Sequence, residues 1–177
     1  MKKENLTTTE TFALALQHHQ KNNFQAAEQL YKKILEIEPD HIESNFRLGS
    51  LLVQTRNFDT AQQLLNKVIQ IDPNHAKAHN NLGIAFQKMK KNQEAINCYE
   101  KAIQINPNLA DAYCNLALLY MNTSRDEKAL QYCDEVLNLV PDMLKAINLK
   151  SEILKRNIPS WHVSMINDDD RNNFYLS

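Results

Sequence analysis

The sequence predicts an all-α solenoid of repeated helix pairs, and three observations predict it. Proline recurs at Pro39, Pro73, Pro107 and Pro141, each 34 residues after the last, and a fixed period of this size marks a repeat array. Small residues keep the same interval, at Ala15, Gly49, Gly83 and Ala117 and again at Ala27, Ala61, Ala95 and Ala129, with a leucine before the first set at Leu14, Leu48, Leu82 and Leu116. Two helices that cross closely admit only Gly, Ala or Ser at the crossing, and the leucines fill the space beside it. The third observation is that Gly49 and Gly83 are the only glycines. Both are crossing positions, so none remains for a phosphate-cradling loop, and enzymes that need such a loop are excluded for this chain.

The elements follow in order. Thr7 precedes a first helix read as 8–20, with Glu10 placed to complete a capping box. Its partner is 24–37, which ends before Pro39 because the residue ahead of a proline is steered out of helical backbone. The same frame gives 42–54 with 58–71, 76–88 with 92–105, and 110–122 with 126–139. Asp40, Asn74, Asn108 and Asp142 follow the four prolines and are expected to satisfy the free amides of the next helix. Ser124 with Glu127 predicts a second capping box ahead of 126–139. A further helix, 144–156, is expected to pack Ile147, Ser151 and Leu154 inward and to leave Lys150 solvated where the repeats carry leucine. A terminal unit must turn a polar face to water, and this helix reads as that cap.

Pattern and period together resemble the tetratricopeptide repeat (TPR). The domain reading is a tail over 1–7, four TPR units at 8–41, 42–75, 76–109 and 110–143, the capping helix, and a second tail over 157–177. The resemblance implies function on a concave groove lined by the first helix of each pair. One groove row is Arg47, Asn81 and Asn115; its neighbours are Glu43, Lys77, Asp111 and Lys145, then Ser50, Ile84, Leu118 and Glu152. Amides one repeat apart can each donate to and accept from a peptide main chain without reading its sequence. The row is similar to the asparagine ladder in the TPR part of O-GlcNAc transferases, matched at Asn81 and Asn115 but not at Arg47. The competing reading is that these amides only bridge neighbouring helices. A chaperone-type carboxylate clamp fits worse, since Phe12 and Leu16 stand where that family has a cation and an amide.

Charge and chemistry narrow the partners. Net charge is −1 with basic residues scattered among acidic ones, which provides no electrostatic footprint for nucleic acid or an anionic membrane. Met1 to Asn5 runs into polar threonines, and no apolar stretch is long enough to span a bilayer. A cytoplasmic protein is expected. Cys98, Cys114 and Cys133 lack C-x-x-C spacing and fit reduced thiols in a reducing compartment. His75 and His79, four apart, have no third ligand nearby in sequence, so neither metal nor cofactor is expected. His18, Tyr31, Tyr99, Tyr113 and Tyr120 read as core or core-edge positions.

The second tail departs from the repeat. Trp161-His162, Met165, Asn167-Asp168, Arg171-Asn172 and Tyr175 resemble the segment leading into the catalytic domain of protein arginine methyltransferases. The resemblance implies Arg171 reaching the carboxylate of S-adenosylmethionine, Met165 near the target side chain, and His162 nearby. No Gly-x-Gly strand or paired glutamates follow, so the catalytic fold is not expected from this sequence. Three readings compete: a free-standing adaptor, the truncated or split docking arm of a methyltransferase, and an adaptor whose tail docks on a separate methyltransferase subunit. The favoured reading is a non-catalytic adaptor for a protein or peptide segment, with self-association through exposed end helices also open.

Overall fold

The computed structural model describes residues 6–156. Among them the chain forms α1 (Thr8–Gln20), α2 (Phe24–Ile37), α3 (Ile42–Gln54), α4 (Phe58–Ile71), α5 (Ala76–Lys88), α6 (Asn92–Ile105), α7 (Ala110–Asn122), α8 (Asp126–Leu139) and α9 (Leu144–Arg156), with no strand. These are the helix limits expected from the repeat, and the local chemistry explains them. At the start of α1 the Thr7 hydroxyl accepts from the Glu10 amide at 3.3 Å, and the Glu10 carboxylate accepts from the Thr7 amide at 2.9 Å. This is the predicted capping box. Each second helix ends on a residue in extended or bridging backbone, such as Glu38 at φ −126° and ψ 80°, immediately before its proline.

Two of the expected caps are corrected. The caps of α3 and α5 are His41 and His75, one residue beyond Asp40 and Asn74, and their Nδ1 atoms accept from the Ser44 and Ala78 amides, both at 3.1 Å. Asp40 stands too early to reach those amides and pairs instead with Lys67 at 3.0 Å. Asn74 uses its own amide, which donates to the Asp72 carboxylate at 3.0 Å and tightens the proline turn. The Ser124 and Glu127 capping box does not form either. Ser124 has left-handed backbone, φ 56°, and the residue capping α8 is Arg125, with no side-chain bond.

That left-handed residue belongs to a device repeated in every helix pair. Asn22, Arg56, Lys90 and Ser124 have φ of 59°, 66°, 62° and 56°. Around the third, the Lys91 amide donates to the Phe86 carbonyl at 2.9 Å and the Lys90 amide to the Gln87 carbonyl at 3.0 Å. The other three turns have the same two bonds. This is the Schellman closure, which usually places glycine at the left-handed position. Here non-glycine residues hold it.

The chain divides into two compact units, Met1–Ala112 and Tyr113–Ser177. In the first, α1 packs on α2, α3 on α4 and α5 on α6, with α2 on α3 and α4 on α5 joining the pairs. The small crossing residues are required by contact. A Cβ on Gly49 would stand 2.9 Å from Leu65 Cγ, and one on Gly83 would stand 2.6 Å from Tyr99 Cε1. Tyr31, Leu51, Leu65, Val68 and Tyr99 are buried around these crossings.

In the second unit the Tyr113 and Tyr120 rings of α7 meet Tyr132 of α8, with centroids 6.3 and 5.6 Å apart, and the second pair is stacked. Helix α9 packs on α8 and corrects another expectation. It buries Ala146, Leu149 and Ile153, while Ile147, Ser151 and Leu154 are exposed. In the repeat frame those three positions face the second helix of their own pair, and among the described residues α9 has none. Lys150 is half-buried rather than fully solvated and pairs with Asp134 of α8.

Candidate functional site

In the first unit, α3 presents Arg47 and Ser50, α5 presents Lys77, Asn81 and Ile84, and Asp111 lies at the start of α7. Helices α3 and α5 touch directly, so residues one repeat apart come within bonding reach. The Asn81 side-chain amide donates to the Ser50 hydroxyl at 2.7 Å, and that hydroxyl donates to the Phe46 carbonyl at 2.8 Å. Ser50, Asn81 and Ile84 are half-buried, whereas Lys77 and Asp111 are exposed. Arg47 pairs with Glu43 one turn earlier, Nε to Oε1 at 2.8 Å, with its guanidinium 5.5 Å from the Phe46 ring. A cation and a carboxylate therefore neutralise each other at one end of the face.

The second unit repeats the bridge. Asn115 of α7 is buried and its Oδ1 accepts from the Lys145 ammonium of α9 at 2.9 Å; Leu118 beside it is half-buried. Both amides thus link a first helix to another first helix, which is the contact pattern of the bridging reading. The sequence offered bridging as the competing reading but did not name the partners, because Ser50 and Lys145 are 31 and 30 residues away. The positions compared with the chaperone clamp have no cation: Phe12 packs its ring against Tyr31 and His41, at 6.0 and 5.5 Å.

The remaining reactive side chains have structural uses. His75 Nδ1 caps α5, and His79 Nε2 lies 3.1 Å from the Pro73 carbonyl. Burial holds the His79 imidazole below its ordinary pKa, opposed by that carbonyl. Among the described residues no group of three or more His, Cys, Asp or Glu could hold a metal ion. Burial pushes the Cys98 and Cys133 thiols up to about 11, with the nearby Glu94 and Cys114 respectively adding to the effect. A protonated thiol is a poor nucleophile. Cys114 is buried with its Sγ 3.7 Å from Met143 Sδ. His162, Met165 and Arg171, together with Trp161 and Tyr175, lie outside the described residues. No described helix is long and apolar enough to cross a membrane.

Comparison with known proteins follows the same lines. A crystal structure of MamA is 26% identical, covering 80% of this chain and 88% of that one, with a TM-score of 0.69. A second crystal structure of MamA protein is 24% identical over 96% of both chains, with a TM-score of 0.71. The APC/C hetero-tetramer Cut9-Hcn1 is 20% identical over 84% of this chain and 30% of that one, with a TM-score of 0.78. At the identities of the last two, the likeness is one of fold. No match was found among curated proteins. The family model described as the tetratricopeptide repeat protein 21 C-terminal ARM domain matches residues 1–157. With that match and four successive helix pairs from α1 to α8, the chain belongs to this family of TPR-type helical repeat proteins.

Proposed function

We propose that this chain is a non-catalytic protein–protein interaction adaptor, a scaffold that takes an extended peptide segment along the face formed by α3 and α5. One observation carries the reading: Asn81 is half-buried and anchored by its 2.7 Å bond to Ser50. A primary amide can take part in four hydrogen bonds. The Ser50 contact and a 3.5 Å contact from Asn80 use two of them. One donor and one acceptor remain on a side chain already held in place, the complement that an extended main chain offers. Arg47 and Lys77 add positive charge, Ile84 an apolar contact, and Asp111 an acidic group farther along. Asn115 and Leu118 provide the corresponding positions on α7 in the second unit.

The family and the fold of the structural neighbours support the scaffold reading, and the neighbour solved as Cut9-Hcn1 is itself an assembly of two proteins. The three cysteines lack C-x-x-C spacing, which fits a reducing, cytoplasmic setting. Docking on a separate methyltransferase subunit would rest on residues 158–177, which lie beyond the residues that the family model matches.

The test is selection of peptides on the full chain from a displayed random library, followed by titration of the selected peptides. Asn81→Ala with Asn115→Ala is expected to weaken binding about tenfold, with the lost bridges costing about 1 kcal/mol of stability each. Peptides that bind the variant and the parent equally would refute the assignment.

A further inference from the structure

One junction of the array differs from its counterparts in chemistry. In the first pair, Phe12 of α1 meets both Tyr31 of α2 and His41 at the cap of α3, with ring centroids 6.0 and 5.5 Å apart. In the second, Phe46 shares a core cluster with Leu65, and its ring centroid lies 4.6 Å from that of His75. The same three places of the fourth repeat are Cys114, Cys133 and Met143. Rings and a branched chain give way there to three sulfur atoms, all within the second unit. Cys114 Sγ lies 3.7 Å from Met143 Sδ. A thiolate–metal bond is about 2.3 Å long, so two sulfurs on one ion at a trigonal or tetrahedral angle stand about 3.8–4.0 Å apart. Cys133 is fully buried, and burial, followed by the charge of neighbouring Cys114, pushes its thiol up to about 11. Met143 is half-buried between α8 and α9, so its thioether is the sulfur that solvent reaches.

We propose that Cys114, Cys133 and Met143 form a binding site for a soft monovalent metal ion, copper(I), which clips α7 and α8 to the residue that leads into α9. Ligand softness selects the ion. A structural zinc site takes four ligands from Cys, His and carboxylates, and no described group of three or more such residues could hold a metal ion. Thiolate and thioether sulfur suit copper(I). Binding exchanges protons for metal: each thiol releases its proton to solvent and gives a sulfur electron pair to copper, while Met143 gives a thioether pair and loses no proton. Copper stays in the +1 state throughout, so nothing is oxidised or reduced. The site shares no residue with the α3 and α5 face.

The test is anaerobic competition for copper(I) between the full chain and bicinchoninate, whose purple copper(I) complex bleaches as the metal leaves it. The parent is expected to withdraw a single copper ion per chain. Its Tm should be higher with copper(I) than without, because an ion bound by the folded chain stabilises it. Losing an outer partner of a metal ligand costs about 10–100-fold in affinity, so Cys114→Ala and Cys133→Ala, which remove ligands outright, should each cost about a hundredfold or more, and Met143→Leu about tenfold or more. Leucine nearly conserves the volume of methionine, so Met143→Leu reports on the ligand even where a buried cysteine variant loses its fold. Cys98→Ala, in the first unit, should bind as the parent does. Copper left wholly on bicinchoninate by the parent, or withdrawn equally by the parent and Met143→Leu, would overturn the proposal. Loss of binding in Cys98→Ala would overturn it in favour of a site elsewhere.

Discussion

Replacing Gly83 by alanine tests the packing logic of the whole array. The added Cβ would lie 2.6, 2.7 and 3.1 Å from Cε1, Cδ1 and Cζ of Tyr99. Ordinary carbon contacts begin near 3.5 Å, so the ring must retreat by about 1 Å or the helices must separate. The ring has little freedom to retreat: Tyr99 is fully buried and its hydroxyl donates to Gln87 Oε1 at 2.8 Å. Overpacking of this kind costs about 1–3 kcal/mol, and losing the hydroxyl bond adds about 1 kcal/mol. Better helix propensity returns about 1 kcal/mol. The first helix pair sets Ala15 in the same slot relative to Tyr31, so alanine is compatible with tyrosine at a wider spacing and the cost is bounded. The net expectation is a destabilisation of about 2 kcal/mol, or a fall in Tm of about 4–8 °C. Calorimetry and urea titration measure it. The fourth pair sets Ala117 in the slot relative to Cys133, so Gly83→Ala should cost less in a Tyr99→Cys background, and the difference is the coupling energy. An unchanged or raised Tm for Gly83→Ala would refute the argument that contact with Tyr99 selects glycine.

The left-handed turns give a prediction of opposite sign. Lys90 is exposed with φ 62°, a conformation that costs a non-glycine residue about 1–2 kcal/mol, so Lys90→Gly should raise the Tm, while Asn22→Gly should raise it less because asparagine tolerates this backbone. A fall in Tm for Lys90→Gly would show that its side chain makes a contact worth more than the strain. Stability should also depend on His79. Its folded pKa is lowered from 6.5, chiefly by burial, so the unfolded chain binds more protons in the window between the folded value and about 6.5, and stability falls as pH drops through it. His19 is shifted the same way, again chiefly by burial. Urea titrations across that window should show the slope, reduced in His79→Gln; an identical slope in parent and variant would exclude His79 as its source.

What could be read in advance depended on how local the determining physics was. Helix limits were legible because proline restricts the residue before it and the small residues mark each crossing, and both signals repeat at a single interval. The capping box at Thr7 and Glu10 was legible because its partners are three residues apart. The caps at His41 and His75 were missed by one position, because imidazole is not an expected cap and Asp40 and Asn74 beside it are. The left-handed turns carried no glycine to announce them. The groove row was placed by counting, but the bonds from Asn81 to Ser50 and from Lys145 to Asn115 join residues far apart in sequence.

The sequence by itself determined an array of paired helices, their order and limits, and the sites of close crossing, because each follows from backbone restriction or side-chain size at a periodic position. Tertiary structure alone decided which of the expected groove residues are already hydrogen-bonded to a neighbouring helix and, among the described residues, which face of α9 no helix covers. Ile147 and Leu154 have the composition of core residues and are exposed, because burial is a property of the neighbour that covers a side chain and not of the side chain itself.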